Sequence, residues 1–346
     1  MKRALLLFLV AAVAVAVVAA KPGQPASRAG AVRAGGVNTA PSMRPWQYAG
    51  ADTDSWWCKP DACNGVSNGT VFVDRELPLA AELGARTLRI ELPWALVESR
   101  RGRLDWARFD YIVRAARRLK VTLQPVIVYT PAWAGKDANS PPSAAAFSKF
   151  AGTLARRYRG RIRYSELWNE PDLSRYWAGT VQQYVQRVLK PGYRAIKHAD
   201  PHARVLLGGP SRADADWFEN VYRYGGGRSF DIAAYHVYSG AAEVLNGASV
   251  MFTVLKRHHQ TAKPIWLGEY GTTEAGPESP QQEGMIRAVL TQAAPLAMAQ
   301  WYTLRDTQAT TCCPPNVIES DPWGLVTRKY ERKSSFALMR TLLKGG

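Results

Sequence analysis

The sequence predicts an α/β chain folded as a single-domain (β/α)8 TIM barrel, on three observations. Its 346 residues exceed the roughly 250 that such a barrel takes before insertions. A hydrophobic fraction of 47% supplies a sizeable core and excludes a disordered protein. From about Val37 onward, short apolar runs alternate with amphipathic stretches, the pattern of successive parallel βα units.

The elements follow in order. The first strand is expected near Gly36–Thr39 or Tyr48–Ala51, and the helix over Val73–Leu83 is ended by Gly84. Thr87–Leu92 reads as the second strand, and Asp105 caps a helix that runs to Leu119. Val121–Tyr129 is a buried strand followed by a helix over Ser143–Tyr158. Ile162–Trp168 is the fourth strand, with a helix over Thr180–His198. The pairs Arg204–Gly208 with Ala213–Tyr224, and Phe230–Tyr238 with Ala242–His259, come next. Pro264–Tyr270 with Pro280–Gln292, and Met298–Leu304 with Lys333–Leu343, complete eight units. Eight βα units over some 300 residues favour a closed barrel over an open sheet.

Ahead of the barrel, Lys2 and Arg3 precede an unbroken apolar run from Ala4 to Ala20, and Val18-Ala19-Ala20 offers small residues for cleavage. Residues 1–20 therefore read as a signal peptide, 21–36 as a flexible lead-in rich in Ala, Gly, Pro, Arg and Ser, and 37–346 as the barrel domain. An uncleaved anchor is the alternative, although the run is shorter than the about 20 residues usual for a bilayer span. Export makes disulfides possible among Cys58, Cys63, Cys312 and Cys313. Four cysteines allow three pairings: closure of the short Cys58–Cys63 loop is one outcome, and two bridges from the early to the late loop another. None has a histidine partner at zinc-site spacing. The formal net charge is +17, dispersed over pairs such as Arg100-Arg101, Arg117-Arg118 and Arg156-Arg157. A solvated arginine-rich surface is the plainer reading, and attraction to an anionic glycan the sharper one. No nucleic-acid motif accompanies the charge. No membrane contact is expected after leader removal, and a monomer is expected.

In a barrel of this kind, active sites lie at the C-terminal ends of the strands. The fourth strand ends in Trp168-Asn169-Glu170-Pro171, and the seventh in Gly268-Glu269-Tyr270. Two carboxyl groups at one mouth are what cleavage of a glycosidic bond requires: one protonates the leaving oxygen, and the other attacks the anomeric carbon or activates water. Aromatic residues suit sugars because their flat faces stack on ring C–H bonds. Trp94, Trp133, Trp168, Tyr238 and Trp301 fall at strand ends.

With these residues assembled, the chain resembles the clan A glycoside hydrolases. The resemblance rests on Trp168-Asn169-Glu170-Pro171, Arg89, His236, Tyr238, Glu269 and Trp301, and covers roughly Arg86 to the C-terminus. The Thr130-Pro131-Ala132-Trp133 turn and the Asn-Glu-Pro-Asp run look most like family 39, with family 5 cellulase-like enzymes next. It implies a secreted retaining O-glycosidase that cleaves a poly- or oligosaccharide by double displacement. Glu170 would be the acid/base and Glu269 the nucleophile. Asn169 would bind the sugar 2-hydroxyl. Arg89 and Tyr238 would keep Glu269 ionised, while Glu170 would need a raised pKa to stay protonated at rest. His236 would orient the acid or contact hydroxyls. Trp301 would form the floor under the sugar, with Trp133 and Trp168 supporting. No cofactor or metal is required.

Each residue also has a plainer role available. A strand-end glutamate can pair with an arginine or cap a helix, a histidine can be a satisfied core residue, and a tryptophan can be packing. Glu166, four residues before Glu170, points into the barrel by alternation and is expected as a buried partner of Arg89. A non-catalytic glycan-binding protein on a degenerate barrel is the competing function.

Overall fold

A computed structural model describes residues 35–38, 72–85, 87–292, 295–306 and 322–345. The expected leader, most of the lead-in and all four cysteines lie outside the described residues.

Among the described residues eight strands run parallel: β1 (Gly35–Asn38), β2 (Thr87–Pro93), β3 (Thr122–Val128), β4 (Tyr164–Leu167), β5 (Arg204–Leu207), β6 (Ala233–Val237), β7 (Ile265–Tyr270) and β8 (Leu296–Tyr302). Their order is β5-β4-β3-β2-β1-β8-β7-β6. The chain ends of the sheet meet at β1 and β8, which pair from Gly35 with Ala299 to Asn38 with Tyr302. The β5 and β6 edges approach through a parallel bridge between Leu206 and Ile232, where the amide of Leu207 donates to the carbonyl of Ile232 at 3.1 Å. The first strand thus takes the earlier of its two expected positions.

Both strand faces are buried, which explains why the strands read as continuous apolar runs rather than alternating ones. Leu88, Ile90 and Leu92 of β2 turn outward into the main core. Opposite them, the helix Ala107–Arg118 buries Phe109, Ile112, Val113 and Ala116, a stripe at i, i+3, i+4 and i+7. The helix expected to be capped by Asp105 has Trp106 at its N-cap and no side-chain cap there; Asp105 Oδ1 instead accepts from the Ala107 amide at 3.0 Å. Other starts do carry side-chain caps. The Ser143 hydroxyl accepts from the Ala146 amide at 3.2 Å, and Thr180 and Gln183 form a reciprocal capping box.

Inside the barrel the contents are layered. At the strand starts Leu206, Ile232, Ala234, Trp266 and Met298 form a separate apolar cluster, with Tyr164 packed 4.8 Å from Trp266. One step nearer the mouth, the inward residues become Thr87, Arg89, Gln124, Glu166, His236 and Gln300, all buried and polar. The apolar layer floors the site, and the polar layer is the site's base.

Three expected elements differ. The helix expected over Val73–Leu83 is a π turn, Phe72–Glu76, followed by a helix over Leu77–Leu83. The helix expected over Thr180–His198 is three segments, Val181–Tyr184, a π turn Val185–Leu189, and Lys190–Ala199. Pro191, which has no N–H to give, sits in the first turn of the last one. The eighth strand starts and stops two residues earlier than expected. No helix among the described residues is long and apolar enough to cross a membrane.

Candidate active site

Arg89 organises the site. It stands on the inward face of β2 with 1% exposure, so its charge must be met inside the barrel. Nε and Nη2 donate to Glu166 at 2.7 and 3.1 Å, the fork expected from alternation along β4. Glu166 is saturated: its oxygens also accept from Gln124 at 2.9 Å and from the Gly209 amide at 3.2 Å. The remaining nitrogens of Arg89 serve the mouth. Nη1 donates to Oε1 of Glu269 at 2.5 Å, and Nη2 donates to Oδ1 of Asn169 at 2.8 Å. That second bond fixes the Asn169 amide and turns Nδ2, its donor end, away from Arg89.

Glu269, at the end of β7, receives the Tyr238 hydroxyl on its other oxygen. Burial alone would raise its pKa. The charges of His236 and Arg89, with the hydrogen bonds from Tyr238 and Arg89, outweigh burial and hold it below the usual carboxylate value. Burial and the adjacent carboxylate push Tyr238 far up, so its phenol keeps the proton it donates.

Glu170 lies beyond the end of β4, where the backbone leaves strand geometry. Trp168 and Glu170 have φ of 80° and 40°, rare for residues other than glycine. The Glu170 amide is anchored to the carbonyl of Gly209 at 3.0 Å. His236 links the two carboxylates: Nδ1 is 3.1 Å from Oε1 of Glu170 and 3.6 Å from Oε2 of Glu269. With acceptors on both sides, we assign the ring proton to Nδ1. Burial opposes charge on the imidazole, yet the Glu269 carboxylate and the bond to Glu170 lift its pKa above the ordinary value. Backbone encloses the far side of the ring. A Cβ on Gly209 would come within 2.7 Å of Nε2, and one on Gly268 within 3.0 Å.

The structure thus brings together Arg89, Asn169, Glu170, His236, Tyr238 and Glu269, but not two of the expected tryptophans. Trp168 was expected as support in the cleft. The left-handed turn rotates it outward, where it has no exposure, packs on Trp177 at 5.2 Å and donates its indole proton to the Tyr176 carbonyl at 2.9 Å. Trp301 was expected as the floor. It pairs in register with Tyr270, the outward neighbour of Glu269, and therefore shares Tyr270's outward face. Its ring lies edge-on to Tyr270 at 5.1 Å, and its indole donates to the Trp323 carbonyl at 3.0 Å. The inward ring of β8 is Tyr302, two residues beyond the inward Gln300 and 5.8 Å from Tyr238. Trp323, from the late loop, stands 5.1 Å from Tyr238 and completes an aromatic corner over Glu269. Trp133 remains on the rim, half-buried, with its indole bound to the Glu98 carbonyl at 2.7 Å and the Arg101 guanidinium 5.9 Å from its ring.

Sequence reading also passed over Arg175, whose Nη2 lies 3.2 Å from Oε2 of Glu170. No periodic pattern announces a contact across five residues of irregular loop. Glu91, one inward position above Arg89, is a third carboxylate near the mouth and accepts from the Tyr129 hydroxyl at 3.0 Å.

The oxygens of Glu170 and Glu269 and a nitrogen of His236 lie within 4.8 Å of one another, the one grouping of metal-ligand spacing found among the described residues. Its donor set suits a cation poorly, because the Arg89 guanidinium and the Tyr238 hydroxyl already occupy both oxygens of Glu269. The arrangement suits proton transfer at Glu170 and nucleophilic attack from Glu269.

The family model Cellulase (glycosyl hydrolase family 5) matches residues 77–303, more than half of the chain. Endo-1,4-beta-xylanase 3 of Hypocrea jecorina is 26% identical over 143 residues, which covers 37% of this chain and 39% of the xylanase. Among solved structures, a family 39 glycoside hydrolase from Bacteroides cellulosilyticus WH2 superimposes with a TM-score of 0.66 at 18% identity, over 78% of this chain and 60% of that one. The exo-beta-1,4-mannosidase Op5Man5 from Opitutaceae bacterium strain TAV5 gives 0.63 at 20%, over 90% and 59%. At such identities the structural likeness concerns the barrel fold, and the chain spans less than two thirds of each of these three relatives. The clan A resemblance carried by Trp168-Asn169-Glu170-Pro171 is met from both directions, by a family 5 model and by family 39 structures.

Proposed function

This chain belongs to the cellulase family, glycosyl hydrolase family 5, and from that premise we propose that it is an exported retaining O-glycosidase acting on a poly- or oligosaccharide. One observation carries the retaining reading. An oxygen of Glu170 and one of Glu269 lie within 4.8 Å. Retention needs carboxyl groups about 5–5.5 Å apart, whereas inversion needs about 6.5–9.5 Å to admit a water between them.

In the first step Glu269 attacks the anomeric carbon while Glu170 gives its proton to the glycosidic oxygen. The C–O bond breaks, the leaving sugar departs as an alcohol, and a covalent glycosyl-enzyme remains. In the second step Glu170, now a carboxylate, takes a proton from water as that water attacks the same carbon and frees Glu269. Arg89 and Tyr238 keep the nucleophile ionised before attack and receive it again afterwards. The donor end of Asn169 is available to the sugar 2-hydroxyl, a contact that strengthens in the transition state. Export rests on the leader-like residues 1–20.

Glu269→Ala lowers turnover by about 10⁴-fold or more, and azide restores part of it by replacing the missing nucleophile. Proton NMR of the first product shows the anomeric configuration of the substrate. An active Glu269→Ala enzyme without azide, or an inverted product, overturns the reading.

A further inference from the structure

We propose that Arg175 is the specificity-determining cation of the leaving-group side, and that it takes the carboxylate of a uronic-acid unit in the sugar that Glu170 protonates. This rests on the glycosidase reading above and names its substrate class.

Three observations converge. The leaving oxygen must reach Glu170, so the sugar bearing it lies beside whatever flanks Glu170 on the open side. His236 flanks it on the buried side, at 3.1 Å. Arg175 flanks it on the other, with Nη2 3.2 Å from Oε2. The exposures differ sharply: the Glu170 side chain is 4% exposed and that of Arg175 is 48%. One guanidinium edge therefore touches the carboxylate while much of the group faces solvent. The group also rests over the Tyr176 ring at 4.7 Å, and Tyr176 is itself buried. A stacked, planar fork beside the leaving oxygen matches a planar carboxylate in two-point fashion.

A uronate arriving at this side offers the exposed edge of the Arg175 guanidinium a second carboxylate, while the other edge stays against Glu170. A neutral sugar offers it none.

The test uses oligosaccharides from glucuronoxylan, polygalacturonate and alginate, each paired with its carboxyl-reduced counterpart, plus a sulfated oligosaccharide. Binding to the full chain, to Arg175→Met and to Arg175→Lys is measured by calorimetry at low salt, with melting temperatures as a fold control. In wild type at least one acidic probe binds about 10- to 100-fold tighter than its reduced partner, as charge-assisted hydrogen bonds allow. The gap vanishes in Arg175→Met and partly returns in Arg175→Lys. For a hydrolysed pair, Arg175→Met lowers kcat/KM by a larger factor for the acidic member than for the reduced member, through KM more than kcat. Equal affinity within every pair in wild type, or a gap that survives in Arg175→Met, overturns the proposal. So does Arg175-dependent binding of the sulfated probe without any of the uronates. Arg175-dependent binding without hydrolysis of any glycan sinks the glycosidase reading and leaves the anion site standing.

Discussion

The ends of β4 and β7 each deliver a glutamate to the same mouth, yet they hold it in opposite ways. Glu269 is the fifth residue of β7, where the strand's register shifts against both neighbours, and both its oxygens are taken by donors rooted elsewhere, Arg89 on β2 and Tyr238 just past β6. Glu170 sits on a left-handed turn beyond its strand, between a buried imidazole and a half-exposed guanidinium. The first environment holds the carboxylate as an anion. The second leaves one flank of the glutamate toward a half-exposed side chain. The proposed double displacement uses this asymmetry, because the nucleophile must be an anion when attack begins and the acid/base must exchange a proton with what arrives at its open flank.

The comparison can be broken at three points. The largest effect is expected at Glu170. Glu170→Gln removes the proton donor and lowers kcat/KM by about 10²–10⁴-fold on substrates with poor leaving groups. The loss is smaller on aryl glycosides whose phenol departs without help. Equal losses on both, measured by steady-state kinetics, would assign Glu170 a structural role. At Glu269 the test is Tyr238→Phe. Its hydroxyl helps depress the Glu269 pKa, so its removal raises that pKa. Activity needs the ionised nucleophile and is lost as pH falls through this pKa, so the acid limb of the kcat/KM profile moves to higher pH. At neutral pH the loss is about tenfold, as for a charge-assisted hydrogen bond. An unmoved acid limb would detach Tyr238 from the nucleophile. The smallest effect contrasts neighbours on β8. Trp301→Phe lowers the melting temperature, with about 1–2 kcal/mol lost from the indole bond and packing, and leaves kcat/KM within about twofold. Tyr302→Ala lowers kcat/KM severalfold at a smaller thermal cost. The opposite pattern would return Trp301 to the cleft.

Strands two to seven, and the glutamates on β4 and β7, were legible in the sequence because each rests on a short, directional signal. The Arg89–Glu166 pair was legible as well, since alternation along β4 turns Glu166 inward. The aromatic floor was not. Strand β8 reads Leu-Ala-Met-Ala-Gln-Trp-Tyr and is buried on both faces, so no polar face anchors its register and a one-residue slip exchanges Trp301 for Tyr302. Gln300 carried the missing hint, as the polar residue of that run that points inward. Trp168 misled for a different reason: positive φ interrupts alternation, and nothing local in Leu167-Trp168-Asn169 requires it. Arg175 reaches Glu170 through the tertiary course of a loop, which no periodicity encodes.

The glycines behind His236 have a consequence for how protons travel. Among the described residues Nε2 has no hydrogen-bond partner, and the backbones at Gly209 and Gly268 press against it. A relay needs an acceptor at both ends, so the imidazole is a terminus rather than a conduit. It can tilt a proton between two carboxylates but cannot hand one down into the apolar layer below. The open flank of Glu170, toward the half-exposed Arg175, is then the side on which this centre meets solvent, and it is the side where the proposal above places the departing sugar.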